Sequence, residues 1–362
     1  MTNWDVIVVG AGQAGCAAAW DLAAAGWRVL VLSREAGAGK PCAGGLTEKT
    51  LRRLRFSIAP VVRETIDTLY VSRYPAADKP LQAPGRFCVM TERAELDRYC
   101  LDQAKAQGAN FIQTRGLALI RQDHDGLTVS TREGERYQAR WLVAADGANS
   151  AVRRLLGERH FLGAMAIEGH VRRDDLDEYP GMTLDFDAIR GGYGWLFPKG
   201  DHVNVGLYVW QHGIAAPDRA ALDNYCLQRL GTAPYKVSGY PLGTWLPRVR
   251  LMQGRVLFAG DAAGCTEPLM GEGIYGAVLS GQMAAEALLS EQPGRYPQLM
   301  EDWRDELKKV ESLSRLFYRL SPVSIPLLQH WIGETLVEGF SQGLTLGQCK
   351  RRWRGAPLPG AS

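Results

Sequence analysis

A glycine motif near the N-terminus has the spacing that holds a pyrophosphate. Apolar residues 5–9 end at Gly10, and further glycines follow at Gly12 and Gly15, where an alanine-rich helical pattern begins. In such a strand–turn–helix unit the first glycine permits the tight turn, the second lets the backbone approach the phosphates, and the third lets the helix pack on the strand. Unpaired N–H groups at the helix N-terminus favour negative charge. The motif therefore predicts a dinucleotide site.

The residues after the next strand leave the kind of dinucleotide open. The second apolar strand, 28–32, is followed by Ser33, Arg34 and Glu35. An acidic residue usually accepts the ribose hydroxyls at the first of these positions. Ser33 with Arg34 would suit the 2′-phosphate of NADP, whereas Glu35 would suit the ribose of FAD. This motif alone does not choose between them.

A glycine-rich segment next presents a cysteine. Residues 36–46 contain four glycines and one proline, so neither a helix nor a strand is expected there. Two interpretations are open: a surface loop, or a loop in which Cys42, Ala43 and Gly44 bring backbone and a thiol close to a flat ligand. Arg93 begins a helix that we expect Thr91 to cap. Its guanidinium is either solvated or within reach of the cofactor.

Two later strands end in polar turns that suit a ligand site. The apolar run 140–145 ends at Asp146 and Gly147, and the run 255–259 ends at Gly260 and Asp261. Ligands bind at the carboxyl ends of the strands in such sheets, and Asp261 can accept from ribose or ribityl hydroxyls. A long alanine-rich helix follows, and its dipole can stabilise a negatively charged ring near its first residues, which are Gly271, Gly273 and Ile274.

An aromatic strand lies in a region with a different pattern. Residues 162–250 contain alternating segments, which predict an antiparallel sheet with one covered face. Within it Tyr193, Trp195 and Phe197 share one face, because successive side chains of a strand point to opposite sides. These rings form either the core of a second domain or the wall of an apolar pocket, and the two roles are compatible.

The composition limits the classes of protein to consider. A chain of 362 residues is long enough for two domains, and its net charge of +3 gives no reason to expect nucleic-acid binding. The apolar runs are too short for a transmembrane helix, and no signal-peptide pattern precedes the first strand, which predicts a cytoplasmic protein. The seven cysteines contain no C-x-x-C pair, so we expect neither a metal site nor a disulfide framework.

The C-terminal region predicts helices and a basic end. Residues 299–320 have an amphipathic helical pattern, and residues 323–347 are apolar and interrupted by glycines. The basic segment 350–354 surrounds a tryptophan. It is either a solvated tail or a peripheral contact with an anionic membrane surface.

Three separated motifs together resemble the FAD-dependent oxidoreductases of the aromatic-hydroxylase fold. They are the glycine motif at Gly10, the Asp146-Gly147 turn and the Gly260-Asp261 turn, and Arg93 is similar to the arginine at a helix start near the flavin in that family. The resemblance implies FAD as the cofactor. It implies an α/β fold with a Rossmann-like FAD-binding domain of the glutathione-reductase type, an antiparallel substrate-binding sheet and a C-terminal helical region.

The resemblance also implies a division of the chain. We expect a discontinuous FAD-binding domain from residues 1–75, 92–161 and 250–292. Residues 76–91 and 162–249 would form the substrate-binding sheet, and residues 293–362 the helical region.

Three further stretches resemble the geranylgeranyl reductase family. They are residues 40–45 (Lys-Pro-Cys-Ala-Gly-Gly), residues 193–198 (Tyr-x-Trp-x-Phe-Pro) and residues 268–274. Ala43 replaces a glycine that is common in the family. The resemblance implies that Cys42 lies beside the flavin and that the aromatic strand lines a cavity for a prenyl chain.

The expected activity is therefore the reduction of carbon–carbon double bonds in a geranylgeranyl-type chain by hydride transfer from reduced FAD. Cys42 would be the catalytic residue that shapes the reacting end or relays a proton. The electrons would come from NADPH or from an electron-donor protein. Two alternatives are an FAD monooxygenase, hydroxylating or halogenase-like, on the same fold, and a non-catalytic flavoprotein that carries a lipid or senses redox state through Cys42.

Overall fold

A computed structural model describes residues 3–37, 40–158, 163–210, 215–244 and 249–353. These residues form eighteen strands and eleven α-helices, numbered along the chain. The strands divide among three sheets.

The first sheet is built from the apolar runs of the sequence. Its strands are β1 (Asn3–Val9), β2 (Val29–Ser33), β8 (Asn110–Gln113), β9 (Leu117–Gln122), β10 (Leu127–Thr131), β11 (Arg136–Ala144), β17 (Met252–Gln253) and β18 (Val256–Phe258). The order is β17–β18–β11–β1–β2–β8, and the β9–β10 hairpin joins through β10. From β18 to β8 the neighbouring strands are parallel. Their continuous apolar runs are buried, as expected for a parallel sheet covered on both faces.

Close helix packing brings two helix N-termini together above this sheet. The surrounding helices are α1 (Gln13–Ala24), α3 (Arg93–Ala106), α4 (Ala151–Leu155) and α6 (Ile274–Leu289). A Cβ atom on Gly281 of α6 would lie 2.2 Å from the carbonyl oxygen of Ala14 in α1. Only glycine permits that approach. The Ser280 hydroxyl also accepts from the Gly260 N–H at 2.8 Å, which ties the Gly-Asp turn to α6.

The second sheet confirms the predicted antiparallel region. Its order is β16–β12–β15–β14–β13–β5–β6, and only the β13–β5 pair is parallel among the described strands. One face packs on α5 (Arg219–Leu230) through residues such as Leu196 and Leu222. The strands are β5 (Thr68–Arg73), β6 (Lys79–Gln82), β12 (Ala164–Arg172), β13 (Met182–Phe186), β14 (Gly192–Pro198), β15 (His202–Trp210) and β16 (Tyr235–Leu242).

A small third sheet lies beside the glycine-rich loop. It contains β3 (Gly45–Thr47), β4 (Val62–Ile66) and β7 (Cys88–Thr91) in the order β3–β7–β4, and α2 (Glu48–Arg53) follows β3.

The C-terminal region is helical, as predicted. It contains α7 (Tyr296–Leu299), α8 (Glu301–Arg319), α9 (Ser321–Leu327), α10 (Gly333–Ser341) and α11 (Leu346–Trp353). On α8 the buried residues recur at helical spacing, which explains its amphipathic pattern. None of the helices in the described ranges has both the length and the apolar character needed to cross a bilayer. The last residue of the basic segment, Arg354, lies outside the described residues.

Two local expectations differ from the structure. The cap of α3 is Glu92 rather than Thr91, because the Thr91 hydroxyl donates instead to the carbonyl oxygen of Gly44 at 2.9 Å. Strand β5 pairs with β13 of the second sheet, although the boundary expected at residue 75 assigns it to the FAD-binding domain. The sequence does not indicate this pairing, because β5 and its antiparallel partner β6 (Lys79–Gln82) lie far along the chain from the next strand of the sheet, β12, which begins at Ala164.

Candidate active site

A cavity of about 500 Å³ lies between the two large sheets and the C-terminal helices. Its lining comes from segments that are far apart in the sequence. They include the start of α1, the loop around Cys42, the face of the second sheet, the start of α6, and helices α8 and α10. The cavity therefore brings the predicted dinucleotide motif and the predicted aromatic strand to one space.

The three glycines of the motif have different environments. A Cβ atom on Gly10, whose φ is +105°, would lie 2.3 Å from the Ala145 carbonyl oxygen, and one on Gly15 would lie 1.9 Å from that of Gly10. These two positions are glycine because the backbones touch. A Cβ atom on Gly12 would meet nothing within 4 Å, and Gly12 lines the cavity. The space in front of Gly12 is open to a ligand.

Two helix N-termini face this part of the cavity without a side-chain cap. Helix α1 starts after Gly12 and α6 starts after Gly273, and neither has an acidic residue in its first turn. Gly271, Gly273 and Ile274 line the cavity, and their contact with a cofactor stays a prediction. Uncapped N–H groups at two helix starts suit the pyrophosphate and the ring of an anionic flavin. The residues present thus fit FAD.

Asp261 lines the cavity, but it has a partner that the sequence did not reveal. Its carboxylate forms an ion pair with the Lys40 ammonium group, and its Oδ1 accepts from the Thr266 hydroxyl at 2.8 Å. Burial opposes ionisation of Asp261, but Lys40 outweighs this and lowers the carboxyl pKa. Asp261 is thus held as an acceptor for hydroxyl groups, and Lys40 is a second charged group near the expected ribityl position.

The Asp146-Gly147 turn reaches the cavity through its backbone. Gly147 lines the cavity, whereas Asp146 does not. The Asp146 Oδ2 accepts from the Val152 N–H at 3.0 Å, at the start of α4. Burial raises the carboxyl pKa. Its role in this geometry is to hold the turn.

Three predicted cofactor residues lie outside the cavity lining. Ser33 ends β2, and Arg34 and Glu35 follow with exposed side chains. The Arg34 carbonyl accepts from Gln113 Nε2 at 2.9 Å. Their contact with a ribose stays a prediction.

Arg93 is buried at the cavity rather than solvated. Its Nη2 and Nε lie 3.1 and 3.2 Å from the two carboxylate oxygens of Asp97, which is fully buried. Gln13 Nε2 donates to the same carboxylate at 2.7 Å. Burial disfavours the charge of Arg93, but Asp97, and after it Cys42, raise the guanidinium pKa. A fixed positive charge therefore stands beside the Cys42 loop.

The Cys42 loop is pinned in place against β7. The Thr91 N–H and hydroxyl both donate to the Gly44 carbonyl oxygen, at 2.9 Å each. Gly44 has a φ of +77° and donates its N–H to the Cys42 sulfur at 3.4 Å. Cys42, Ala43 and Gly44 all line the cavity. The interpretation as a loop close to a flat ligand fits this position better than a surface loop.

The aromatic strand forms a wall of the cavity. Tyr193, Trp195 and Phe197 point to the same side, and the rows across the sheet add Leu184 and Phe186 of β13. Trp195 lies over Gly206 of β15, where a Cβ atom would be 2.1 Å from its ring. The Tyr193 hydroxyl donates to the Met270 carbonyl oxygen at 2.5 Å, and Trp195 Nε1 donates to Asn204 Oδ1 at 2.7 Å. The polar atoms are satisfied, which leaves ring faces towards the cavity.

Two buried glutamates in the lining were missed by the sequence analysis. Glu168 of β12 is 6% exposed, and burial raises its pKa. Burial raises the pKa of Glu267 to about 7, while its two oxygens accept from the Leu269 and Met270 N–H groups at 2.6 and 2.8 Å. A single glutamate in a strand or turn has no motif around it. Only the alternation along β12 could have placed Glu168 on the inner face.

The C-terminal helices close the cavity and carry an exposed apolar surface at its edge. Leu313, Phe317 and Leu328 line the cavity. Of the eight large apolar side chains that are exposed in the described part of the chain, six lie within residues 313–331. We call these six the mouth patch: Leu313, Leu316, Leu320, Val323, Leu327 and Trp331.

Comparison with known proteins identifies similar chains along almost the whole length. A family model for an FAD binding domain matches residues 3–173. An uncharacterized protein of Methanosarcina barkeri is 31% identical over 96% of this chain and 92% of its own length. The chloroplastic geranylgeranyl diphosphate reductase of Arabidopsis thaliana is 29% identical over 88% of this chain and 75% of its own length. The menaquinone reductase of Mycobacterium tuberculosis is 30% identical over 82% of this chain and 80% of its own length.

Solved structures share the fold. A geranylgeranyl bacteriochlorophyll reductase-like protein from Thermoplasma acidophilum superposes with a TM-score of 0.73 at 21% identity, covering 97% of this chain and 96% of its own. A flavin-dependent brominase superposes with a TM-score of 0.72 at 16% identity, covering 94% of both chains. The predicted α/β flavoprotein fold is confirmed, and both reductase-like and halogenating proteins have it.

The site predicts which thiol reacts first. Cys42 is half-buried, whereas the other six cysteines are buried, and burial raises the pKa of each of their thiols. Since the thiolate is the reactive form, a disulfide reagent should modify one thiol of the native protein. Peptide mass spectrometry should find the label on Cys42. Cys42→Ser should abolish the fast phase of labelling. Bound FAD should slow this phase in the wild type. A label elsewhere, or a rate unaffected by FAD, would contradict this position of Cys42.

Proposed function

This chain belongs to the FAD-dependent geranylgeranyl reductase family, and we propose that it reduces carbon–carbon double bonds of a prenyl chain. The chain is an FAD-dependent oxidoreductase by that membership. The relatives named for geranylgeranyl diphosphate and menaquinone support an apolar, prenyl-type substrate.

The observation that carries the proposal is a single cavity with two unlike sides. One side presents the helix starts at Gly12 and Gly273. The other presents the aromatic wall of Tyr193, Trp195 and Phe197. Backbone N–H groups bind an anionic cofactor, and ring faces bind a hydrocarbon. Both ligands would therefore meet in one space.

The protein's contribution to such a reaction is geometry and exclusion of water. Bound FAD, once reduced, supplies the hydride. An isoprene double bond is not polarised, so the chain must be held in reacting geometry in a dry site. Tyr193 and Trp195 suit this task because their polar atoms are bonded to Met270 and Asn204 rather than directed at the substrate.

Cys42 has two proposed roles in this site. Its thiol lines the cavity beside Arg93, so it can shape the reacting end of the substrate space. A thiol can also relay a proton to the carbon that does not receive hydride. The two roles differ in their consequence: the first alters which bonds are reduced, and the second alters the rate.

The source of electrons is a separate part of the proposal. Only one G-x-G-x-x-G follows a strand in the sequence, so a dedicated nicotinamide domain is not expected. NADPH would then bind transiently, or an electron-donor protein would dock. Either donor is compatible with a flavin that reacts in two half-reactions.

A monooxygenase is the second candidate function. The structural similarity to a flavin-dependent brominase is nearly as high as that to the reductase-like protein, with TM-scores of 0.72 and 0.73. Fold alone does not separate the two activities. The reactions differ in their products, since reduction adds hydrogen and oxygenation adds oxygen.

We also propose that the mouth patch rests on an anionic membrane surface. The patch adjoins Phe317 and Leu328 of the cavity lining, so a lipid could enter without crossing water. Arg315 and Arg319 are exposed on α8, and Lys350, Arg351 and Arg352 are exposed on α11. Arg352, however, also pairs with Glu338 at 3.3 Å. Exposed apolar side chains flanked by cations are typical of peripheral membrane binding.

The reductase proposal predicts a mass change in a prenyl lipid. FAD-loaded protein should be incubated with geranylgeranyl diphosphate, once with dithionite under argon and once with NADPH in air. We expect mass gains in steps of two hydrogens without oxygen. Trp195→Ala should lower the rate about 100-fold, because a misplaced double bond loses its reacting geometry. Cys42→Ala should change the rate or the number of bonds reduced.

The matched control is Leu196→Ala, which truncates a buried neighbour on the opposite face of β14. It tests for a loss of stability without touching the cavity wall. A gain of one oxygen, only in air, would contradict the reductase and favour the monooxygenase. Unchanged products from Cys42→Ala would remove Cys42 from the mechanism.

The membrane proposal predicts a selective loss of vesicle binding. Val323 and Trp331 are the most exposed members of the mouth patch, at 67% and 80%. The double variant Val323→Ser/Trp331→Ser should bind anionic vesicles at least about tenfold more weakly in flotation, since it loses apolar burial in the interface. Added salt should weaken the wild type further.

The control for this experiment is Leu119→Ser/Leu227→Ser, which alters the two exposed apolar residues outside the patch. An equal loss of vesicle binding in both double variants, or no vesicle binding by the wild type, would contradict the proposal that the mouth patch rests on a membrane.

A further inference from the structure

The inner face of the second sheet changes from apolar to charged along its strands. In register, Tyr193 lies beside Tyr208, Trp195 beside Gly206, and Phe197 beside Asn204. On β12, Glu168 pairs with Gly206 and is therefore in the same row as Trp195. The aromatic wall thus has a carboxyl group at its edge, inside the cavity lining.

Glu168 is a buried carboxyl group in the cavity lining. It is 6% exposed. Among the groups that favour its charged form, the ammonium group of Lys199 has the largest effect. Burial raises the pKa of Glu168, while Lys199, the Cys42 N–H and Asn204 lower it and Glu92 raises it. Burial therefore disfavours the charge of a carboxyl group that lines the same cavity as the Cys42 loop.

Lys199 follows the aromatic strand and is completely buried. Its side chain is 0% exposed, and its Nζ lies 3.3 Å from Glu92 Oε2. A Cβ atom on Gly44 would lie 3.2 Å from that Nζ, so the ammonium group touches the backbone of the Cys42 loop. A buried cation is costly unless it is paired. The pairing with Glu92 therefore fixes where Lys199 stands relative to Glu168.

Glu92 is in turn connected to the surface by a histidine. His202 Nε2 lies 3.5 Å from Glu92 Oε2, and His202 Nδ1 lies 2.7 Å from Asp201 Oδ1. The Asp201 side chain is 76% exposed. His202 and Lys199 together outweigh burial and lower the pKa of Glu92 to about 2, so Glu92 is a fixed anion.

The group formed by Glu92, His202 and the neighbouring His170 is a poor metal site. Ligand atoms of Glu92, His170 and His202 lie within 4.8 Å of one another. The two histidine rings, however, are stacked with centroids 4.7 Å apart and an angle of 23°. Stacked rings direct their lone pairs along separate planes, and the Lys199 ammonium group repels a cation.

We propose that Glu168 is the catalytic acid that gives the proton for prenyl reduction, with Lys199 and Glu92 as positioning residues. This proposal rests on the proposed function. For each double bond, reduced FAD would supply a hydride for one carbon, and Glu168 would give its carboxyl proton to the other. The C=C π bond is lost and two C–H bonds form. Glu168 is left as a carboxylate and takes a proton from water for the next bond, and the external donor restores the two electrons.

The proposal separates Glu168 from Cys42. Cys42→Ala removes the thiol but leaves the Glu168 carboxyl group in the cavity lining. Proton delivery should therefore survive Cys42→Ala and fail in Glu168→Gln, which keeps the shape but has no acidic proton.

The first test is a single turnover of dithionite-reduced, FAD-loaded protein with geranylgeranyl diphosphate, followed by mass spectrometry. Glu168→Gln should be slowed at least about 100-fold, the range of general-acid catalysis. Electron transfer from the reduced protein to ferricyanide, which takes no proton, should keep the wild-type rate. Equal slowing of both reactions would indicate a disturbed flavin site and would overturn the role as acid.

The second test is the pH–rate profile. Substitutions of the two positioning residues should shift this profile in opposite directions. An acid works when protonated, so the rate falls as the pH rises through the Glu168 pKa. Lys199→Met removes the cation that lowers this pKa and should shift the fall towards alkaline pH by about one unit or more. Glu92→Gln removes an anion that raises the pKa and should shift it towards acid pH. Lys236→Met, which alters an exposed lysine of β16, is the control and should leave the profile in place.

The third test does not depend on turnover. Infrared titration of the FAD-free protein should show a protonated carboxyl band that Glu168→Gln removes, and whose midpoint moves with Lys199→Met and Glu92→Gln in the directions given. Glu267→Gln should remove a different band. If the fall in rate with rising pH disappears in Glu267→Gln rather than in Glu168→Gln, the proposal is overturned. If the wild type forms no reduced lipid, the proposed function itself fails, whereas an active wild type with unmoved profiles rejects only the assignment of Glu168.

Discussion

The contact between α1 and α6 is the constraint on which the rest of the site depends. Gly281 allows α6 to approach the Ala14 carbonyl oxygen so closely that a Cβ atom would lie 2.2 Å away. Gly15 allows an equally close approach of α1 to the turn at Gly10, where a Cβ atom would lie 1.9 Å from the Gly10 carbonyl oxygen. Because both helices are held this close, their uncapped starts at Gly12 and Gly273 open into one cavity. A wider spacing would separate the pyrophosphate end of a dinucleotide from its ring end.

The opposite wall depends on the register of a single sheet. With period-two alternation, β12, β14 and β15 place aromatic groups with a carboxyl group beside them, and then a lysine and a histidine, along one face. The loop at Cys42 crosses this face where the apolar part ends, and Thr91 pins it there. A one-residue slip would turn the aromatic rings towards α5 and present Gly194 and Leu196 to the cavity instead. The register therefore fixes both the binding surface for a hydrocarbon and the location of its proton source.

The sequence was most informative where function requires a local pattern. Gly10, Gly12 and Gly15 were predictable because a tight turn and two close backbone approaches need glycine at fixed spacing. The shared face of Tyr193, Trp195 and Phe197 followed from strand geometry. The sequence was uninformative where partners are distant: Lys40 and Asp261 are 221 residues apart, and nothing near either residue indicates the pair. Glu168 was missed for the same reason, since its partners come from other elements. The sequence wrongly indicates Thr91 as a cap, because its hydrogen bond to Gly44 is a tertiary contact. The motif position that predicts Ser33, Arg34 and Glu35 as cofactor residues lies beyond the cavity lining.

The central claim is that cofactor and hydrocarbon occupy one cavity, and a crystal structure of the protein with FAD and geranylgeranyl diphosphate tests it most directly. The account predicts the FAD pyrophosphate at Gly12 and the flavin ring near Gly273 and Cys42. The prenyl chain should lie along Tyr193, Trp195 and Phe197. A chain bound elsewhere, or separated from the flavin by protein, would contradict the account.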